Sequence, residues 1–266
     1  MLSVLVAKLV ATAAVVIGVS VAVGRMGPRL GGILAGTPII LGPGYFFMLQ
    51  ERSTDFLQAA ALSTLHALIA TLVFAICFVL AAGRFGIFTS LALATGSWIP
   101  ASLLFSLLPG GVWGGLLVYG LVLLIAEMIR RRLNLEQTVV VARSGWFDLL
   151  LRGMLAGILV SIATTVAAQS GPFLSGILVG FPVGLFTIGW TLYERYGPDV
   201  ARATVSMAQK GMLSLVAFTV ALALTVETLP PMATFATSLL ASIAVSLGIF
   251  VISQWRYRAL QTGEGI

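Results

Sequence analysis

The chain has 266 residues, 59% of them hydrophobic and 9% charged, with a mean hydropathy of +1.08 and a net charge of +6. Water-facing domains carry about 25% charged residues, so a soluble globular fold of this size is excluded. Apolar runs long enough to cross about 30 Å of hydrocarbon as helices recur along the whole chain. Lipid offers the backbone no hydrogen-bond partners, so such runs must be helical, and the short alternating strands of a membrane barrel are absent. The sequence therefore reads as an all-α, polytopic transmembrane bundle. Its positive charge is no nucleic-acid footprint, because basic residues fall mainly in short loops between spans.

In chain order, helices are expected near 2–24, 29–50, 55–82, 86–108, 112–130, 147–168, 172–193, 200–226 and 231–254. The first is followed by Arg25 and Arg29 rather than a small-residue cleavage site, so it reads as a retained helix and not a signal peptide. The single cysteine, Cys77, falls inside a span as a small packing residue, and no disulfide framework is available. The longest polar stretch, Arg130 to Ser144, divides a first unit (1–133, five helices) from a second (146–266, four helices) by a cytoplasmic linker at 134–145.

Charge sets the orientation. Of the 15 lysines and arginines, Lys8, Arg152 and Lys210 lie within spans. With nine spans, Arg25, Arg29, Arg84, Arg130, Arg131, Arg132, Arg143, Arg195, Arg202, Arg256 and Arg258 share one side and Arg52 alone takes the other. Counting 86–108 as re-entrant weakens this bias. The positive-inside rule then puts the N-terminus outside and the C-terminus in the cytoplasm.

A self-match divides the chain further. Residues 27–38, GPRLGGILAGTP, align without gaps to residues 171–182, GPFLSGILVGFP, with eight of twelve positions identical, both prolines among them. The match continues from Glu51-Arg52 to Glu194-Arg195, from Ser63 to Ser206 and from His66 to Gln209, while upstream Lys8 falls on Arg152. Hydrophobicity alone does not match glycine, proline and charge together. Because the copies start on opposite faces, they form inverted-topology repeats, an arrangement typical of secondary transporters with sites at the repeat interface. Proline removes a donor and clashes with the preceding turn, so both motif helices should break near Pro38, Pro43 and Pro182. The competing reading is close helix packing through small residues.

Ionisable groups inside spans are candidates for function. Lys8 and Arg152 occupy equivalent positions, with snorkelling to the interface as the alternative. Lys210 has no acidic residue one turn away on its own helix and is expected to face a cavity. Thr37, Pro38, Ser63, His66, Pro182, Ser206, Gln209 and Lys210 are the candidate substrate-binding set. Lys8, Glu51, Arg52, Arg152, Glu194 and Arg195 are candidates for gating or ion pairing, with Glu51–Arg52 and Glu194–Arg195 as helix-end pairs. Glu127 and Asp148 each precede an arginine by four residues, the spacing of a helical ion pair. The tryptophans mostly fall near span ends, as an interfacial belt would.

The repeat resembles the small bacterial GlpM-like membrane proteins, in the residues Lys8, Gly36-Thr37-Pro38 and Glu51-Arg52 and again in Arg152, Gly180-Phe181-Pro182 and Glu194-Arg195. The resemblance implies an integral membrane location and covers about the first three helices of each half. The chain departs from it in being a fused tandem with one additional helix in the first half.

These features lead to the expectation of a secondary transporter in the bacterial inner membrane, moving a small anionic solute by alternating access. The anion follows from intramembrane cations outnumbering unpaired anions. A flippase for lipids or polyprenyl phosphates and a non-transporting assembly subunit are the alternatives. The expected partners are membrane lipids, the anionic solute or a lipid-linked phosphate, and further copies of the chain in a homo-oligomer, with no nucleic acid. No P-loop, metal-ligand cluster or hydrolase motif is present, so no enzyme, metal or cofactor is expected. Labelling of cysteines introduced at the two ends with an impermeant maleimide should mark the N-terminus from outside and the C-terminus from the cytoplasm. Both ends labelled from one side would remove the inverted topology.

Overall fold

A computed structural model describes residues 2–25, 38–135 and 146–261. The motif residues from Gly27 to Thr37, most of the linker, and the side chains of Asp148 and Arg152 lie outside the described residues. Within them the protein is an all-helical membrane bundle. Its helices are α1 (Leu2–Arg25), α2 (Leu41–Glu51), α3 (Thr54–Ala81), α4 (Ile87–Ser106), α5 (Gly111–Arg132), α6 (Trp146–Val179), α7 (Val183–Tyr196), α8 (Pro198–Gly211), α9 (Leu213–Thr225) and α10 (Pro231–Gln261). Six helical stretches among the described residues are long and apolar enough to span a bilayer, including Gly171–Tyr196 and Pro198–Thr225, each of which joins two of these elements. Within segment 86–108 the chain forms one continuous helix, α4, which is among the six stretches long and apolar enough to span.

Local chemistry explains the boundaries. Ser53 caps α3, its hydroxyl accepting from the Phe56 N–H, and Asp55 in the first turn favours the positive end of the helix dipole. Arg130, Arg131 and Arg132 close α5, where cations meet the negative end. Between α7 and α8 the chain turns at Gly197, whose φ of 84° suits glycine, and Pro198 opens the next helix where no N–H is needed.

The centre of the bundle is α3, 78% buried across its spanning window, whereas α5 and α10 are each only 17% buried and present hydrocarbon outwards. On α5 the outward stripe includes Leu117, Leu121 and Leu124. Phe74, Phe78, Ile69 and Leu72 of α3 fill the main core, and Tyr45, Met48, Phe218 and Leu222 fill a second. Trp113, Trp146 and Trp255 are exposed near helix ends, as a belt requires. Trp98 departs from that expectation, being buried inside α4 with its indole N–H on the Thr71 hydroxyl at 3.1 Å.

α1 packs against α6 and α3 against α9, while α3–α4 and α9–α10 are adjacent pairs. The α1–α6 contact is close because glycine lets the backbones approach. A methyl on Gly157 would lie 2.7 Å from the Leu9 carbonyl oxygen, and one on Gly153 would lie 3.3 Å from the Ala13 carbonyl oxygen. Gly120 on α5 has nothing within 4 Å. Gly157→Leu should therefore destabilise the fold by about 1–3 kcal/mol through overpacking, while Gly120→Leu should change little. Denaturant unfolding in mixed micelles measures both.

Candidate functional site

The second motif helix breaks where Pro182 predicts, while in the first copy the residues before Pro38 lie outside the described residues. In the second copy, α6 bends at Gly171 (φ 80°, ψ 177°), just before Pro172, and continues to Val179. The backbone then leaves helical geometry at Gly180–Pro182, and α7 begins at Val183. In the first copy, Pro38 to Ile40 are non-helical and α2 begins at Leu41. Pro43 breaks nothing, because it sits in the first turn of α2, where a missing N–H costs no helical hydrogen bond.

α3 holds the second break in place. The Thr64 hydroxyl donates to the Gly176 carbonyl at 2.9 Å. The Thr71 hydroxyl lies 2.9 Å from the Ala67 carbonyl and 3.3 Å from the Gly180 carbonyl, so its single proton is shared between them. Tyr45 of α2 joins the network through a 2.6 Å hydroxyl–hydroxyl bond to Thr64. This approach needs small residues: a methyl on Gly176 would run into the Ala60 carbonyl, and one on Gly180 would lie 2.5 Å from the Ala67 Cβ. Glycine as packing and proline as break thus operate side by side in one motif.

A half-open cavity of about 490 Å³ lies between the break at Gly180–Pro182 and the start of α2. Ile39–Leu41 and Val179–Pro182 border it, with Leu68 and Thr71 of α3, residues of α8 and α9, and Ser246 and Ser253 of α10. Its wall is chiefly hydrocarbon. A second cavity of about 470 Å³ lies beside the first break, bordered by Pro38, Gly42, Phe46 and Phe235, and Ile39 lines both. Methyl groups on Gly42, Gly184 and Gly211 would meet nothing within 4 Å, so these glycines face open space.

The sequence-derived candidates divide. Pro182 lines the first cavity and Pro38 the second. Ser63 packs beside Gly176, Ser206 donates to the Ala203 carbonyl of its own helix at 2.8 Å, and Gln209 is buried; none borders either cavity. His66 is buried and faces Gly115 of α5, away from the breaks, with Nε2 making no hydrogen bond among the described residues. Thr37 lies outside the described residues.

The ion pairs also differ from expectation. Lys210 faces a carboxylate from another helix, its Nζ 3.3 Å from the Glu127 Oε2, and Glu127 also receives Arg130 at 2.6 Å and Arg131 at 3.0 Å. The expected Glu127–Arg131 pair is thus one edge of a larger cluster. Lys8 does not snorkel: it is buried, 2.7 Å from the Glu51 Oε1 and 5.6 Å above the Phe47 ring. Glu51 therefore pairs with Lys8 and not with Arg52, which donates to the Thr164 carbonyl at 3.4 Å and lies over Phe56. Glu194 and Arg195 are exposed at the end of α7.

What the sequence reading missed is the far wall. Thr234, Ser238, Ser242 and Ser246 recur at every fourth position of α10 and are all buried, a small-residue seam that points the helix inwards. In comparisons with known proteins, no family model, curated protein or solved structure matches the chain.

The Lys8–Glu51 pair yields a quantitative test. Its side chains are 9% and 39% exposed, so screening reduces but does not abolish the attraction. A double-mutant cycle with Lys8→Met and Glu51→Gln should give a coupling of about 0.5–3 kcal/mol. Additive effects of the two substitutions would show that the contact contributes nothing.

Proposed function

We propose that the chain is a secondary transporter built from two inverted-topology repeats, whose solute occupies the cavity between the broken motif helices. The repeats are α1–α4 with the intervening motif and α6–α10, leaving α5 outside both. The observation that carries this reading is reciprocity. The spacing that aligns the motifs pairs Leu9 with Gly153 and Ala13 with Gly157. A methyl on Gly157 would meet Leu9, and one on Gly153 would meet Ile17 and, at 3.3 Å, the Ala13 carbonyl oxygen, so exchanging the copies turns the Leu9–Gly157 contact into the Ala13–Gly153 one. Such self-complementarity is what a two-fold axis requires. The helix neighbours obey the same exchange, with α1–α6 and α3–α9 mapping onto themselves and α3–α4 onto α9–α10.

Contacts between helix ends fit nine spans. The Arg202 Nε donates to the Val79 carbonyl at 2.8 Å and the Tyr193 hydroxyl to the Phe85 carbonyl at 3.1 Å, gathering loops assigned to the cytoplasm. Arg52 reaches Thr164, on the side assigned to the exterior. Discontinuous helices meeting at a cavity are the usual site of a carrier, and irregular backbone is tolerated there because protein or a wet cavity satisfies it. The anionic cargo expected from sequence loses its basis, since the described intramembrane lysines each face a carboxylate. The hydrocarbon wall lends weight to the second reading, a lipid flippase.

In a Cys77→Ser background, Ser246→Cys should react with impermeant maleimide from the cytoplasmic side, and Gly184→Phe should sharply lower that rate without altering the elution profile. A cysteine at 246 that is inert from both faces would mean dry motif prolines and would favour an assembly subunit over a carrier.

A further inference from the structure

The cavity walls also specify a class of cargo, an inference that rests on the carrier reading above. Among the described lining of the first cavity the polar side chains are Thr71, Ser246 and Ser253, with no acidic or basic residue. The second cavity has no polar side chain in its described lining. A carboxylate or phosphate taken into such surroundings would lose its hydration with no countercharge to offset the loss. An uncharged polar group needs only hydrogen bonds.

The hydroxyls also indicate which kind. The Thr71 proton is engaged by the Ala67 and Gly180 carbonyls, and the Ser253 hydroxyl donates to the Phe250 carbonyl at 2.7 Å. The Thr71 hydroxyl also accepts the Trp98 indole N–H, and the lone pairs that remain on Thr71 and Ser253 suit a head that donates, such as an alcohol or an amide N–H. The rest of the wall, including Leu68, Leu185 and Leu215, suits an aliphatic chain. Both volumes fall in the range of ordinary small-molecule sites, roughly 300–1,000 Å³, and Ile39 separates them.

We infer that the cargo is an uncharged amphiphile, with a hydrogen-bond-donating head at Thr71, Ser246 and Ser253 and an aliphatic tail that passes Ile39 into the second cavity. The described walls hold no countercharge for an anionic solute.

The test uses the full chain in liposomes, with a spin-labelled monoacylglycerol and a spin-labelled fatty acid of equal chain length, at a pH where the fatty acid is ionised. The monoacylglycerol should show a motionally restricted component beyond that of the fatty acid. That excess should be lost in Gly184→Phe and Gly211→Phe, which fill the cavity, and kept in Gly120→Phe, which faces lipid. Equal restriction of the two probes, or an excess that survives both filling variants, overturns the cargo class. Maleimide labelling of Ser246→Cys on the same vesicles separates the two levels. A reactive cysteine with no monoacylglycerol excess refutes the amphiphile and leaves the carrier standing, whereas an inert cysteine removes the carrier and this inference together.

Discussion

The whole arrangement depends on one constraint: a backbone carbonyl released inside a bilayer must find a donor within the protein. Pro182 removes the donor for the Leu178 carbonyl, which the Phe181 N–H meets at 3.2 Å. Thr71 of α3 supplies a hydroxyl to the Gly180 carbonyl, while Thr64 adds a second donor to the Gly176 carbonyl, which already accepts the Gly180 N–H. That requirement fixes where α3 must stand, and the glycines let it stand there. Because α3 is clamped to the break at Gly180–Pro182 while Tyr45 ties it to α2, one central helix registers that break against α2. The cavity lies between that break and the start of α2.

Electrostatics plays a supporting part. Every described lysine within the bundle meets a carboxylate from a different helix, Lys8 on Glu51 and Lys210 on Glu127. Such pairs are costly to break singly, since the survivor would be left poorly solvated. They tie α1 to α2 and α8 to α5, clear of the cavity wall.

Much of this was legible in the sequence because the governing signals are local or periodic. Span positions follow from apolar length, and the second break follows from Pro182, whose missing N–H and ring oppose the helical ladder beside Gly180, whereas Pro100 is accommodated inside α4. Pro43 misled for an instructive reason, since the same residue is harmless once the preceding break makes it part of a first turn. Cross-helix partners were not legible. Nothing near Lys210 in the chain points to Glu127, and Glu51 beside Arg52 looked like a pair until α1 brought Lys8 to it. His66 was drawn to the site by its rarity, yet rotation about the α3 axis turns it to α5. The hydroxyl seam on α10 was visible at four-residue spacing, but its meaning required knowing which face turned inwards.

The helix that the proposed repeats leave out, α5, bears on ancestry. In the proposed arrangement each repeat crosses the bilayer an even number of times, so two copies joined directly end to end would enter the membrane from the same face and lie parallel. One additional crossing between them reverses the second copy. On this view the peripheral, lipid-facing α5 is the adapter that turned a tandem gene duplication into an antiparallel pair, and a fusion lacking it would have had to find its partner as a separate, oppositely inserted polypeptide.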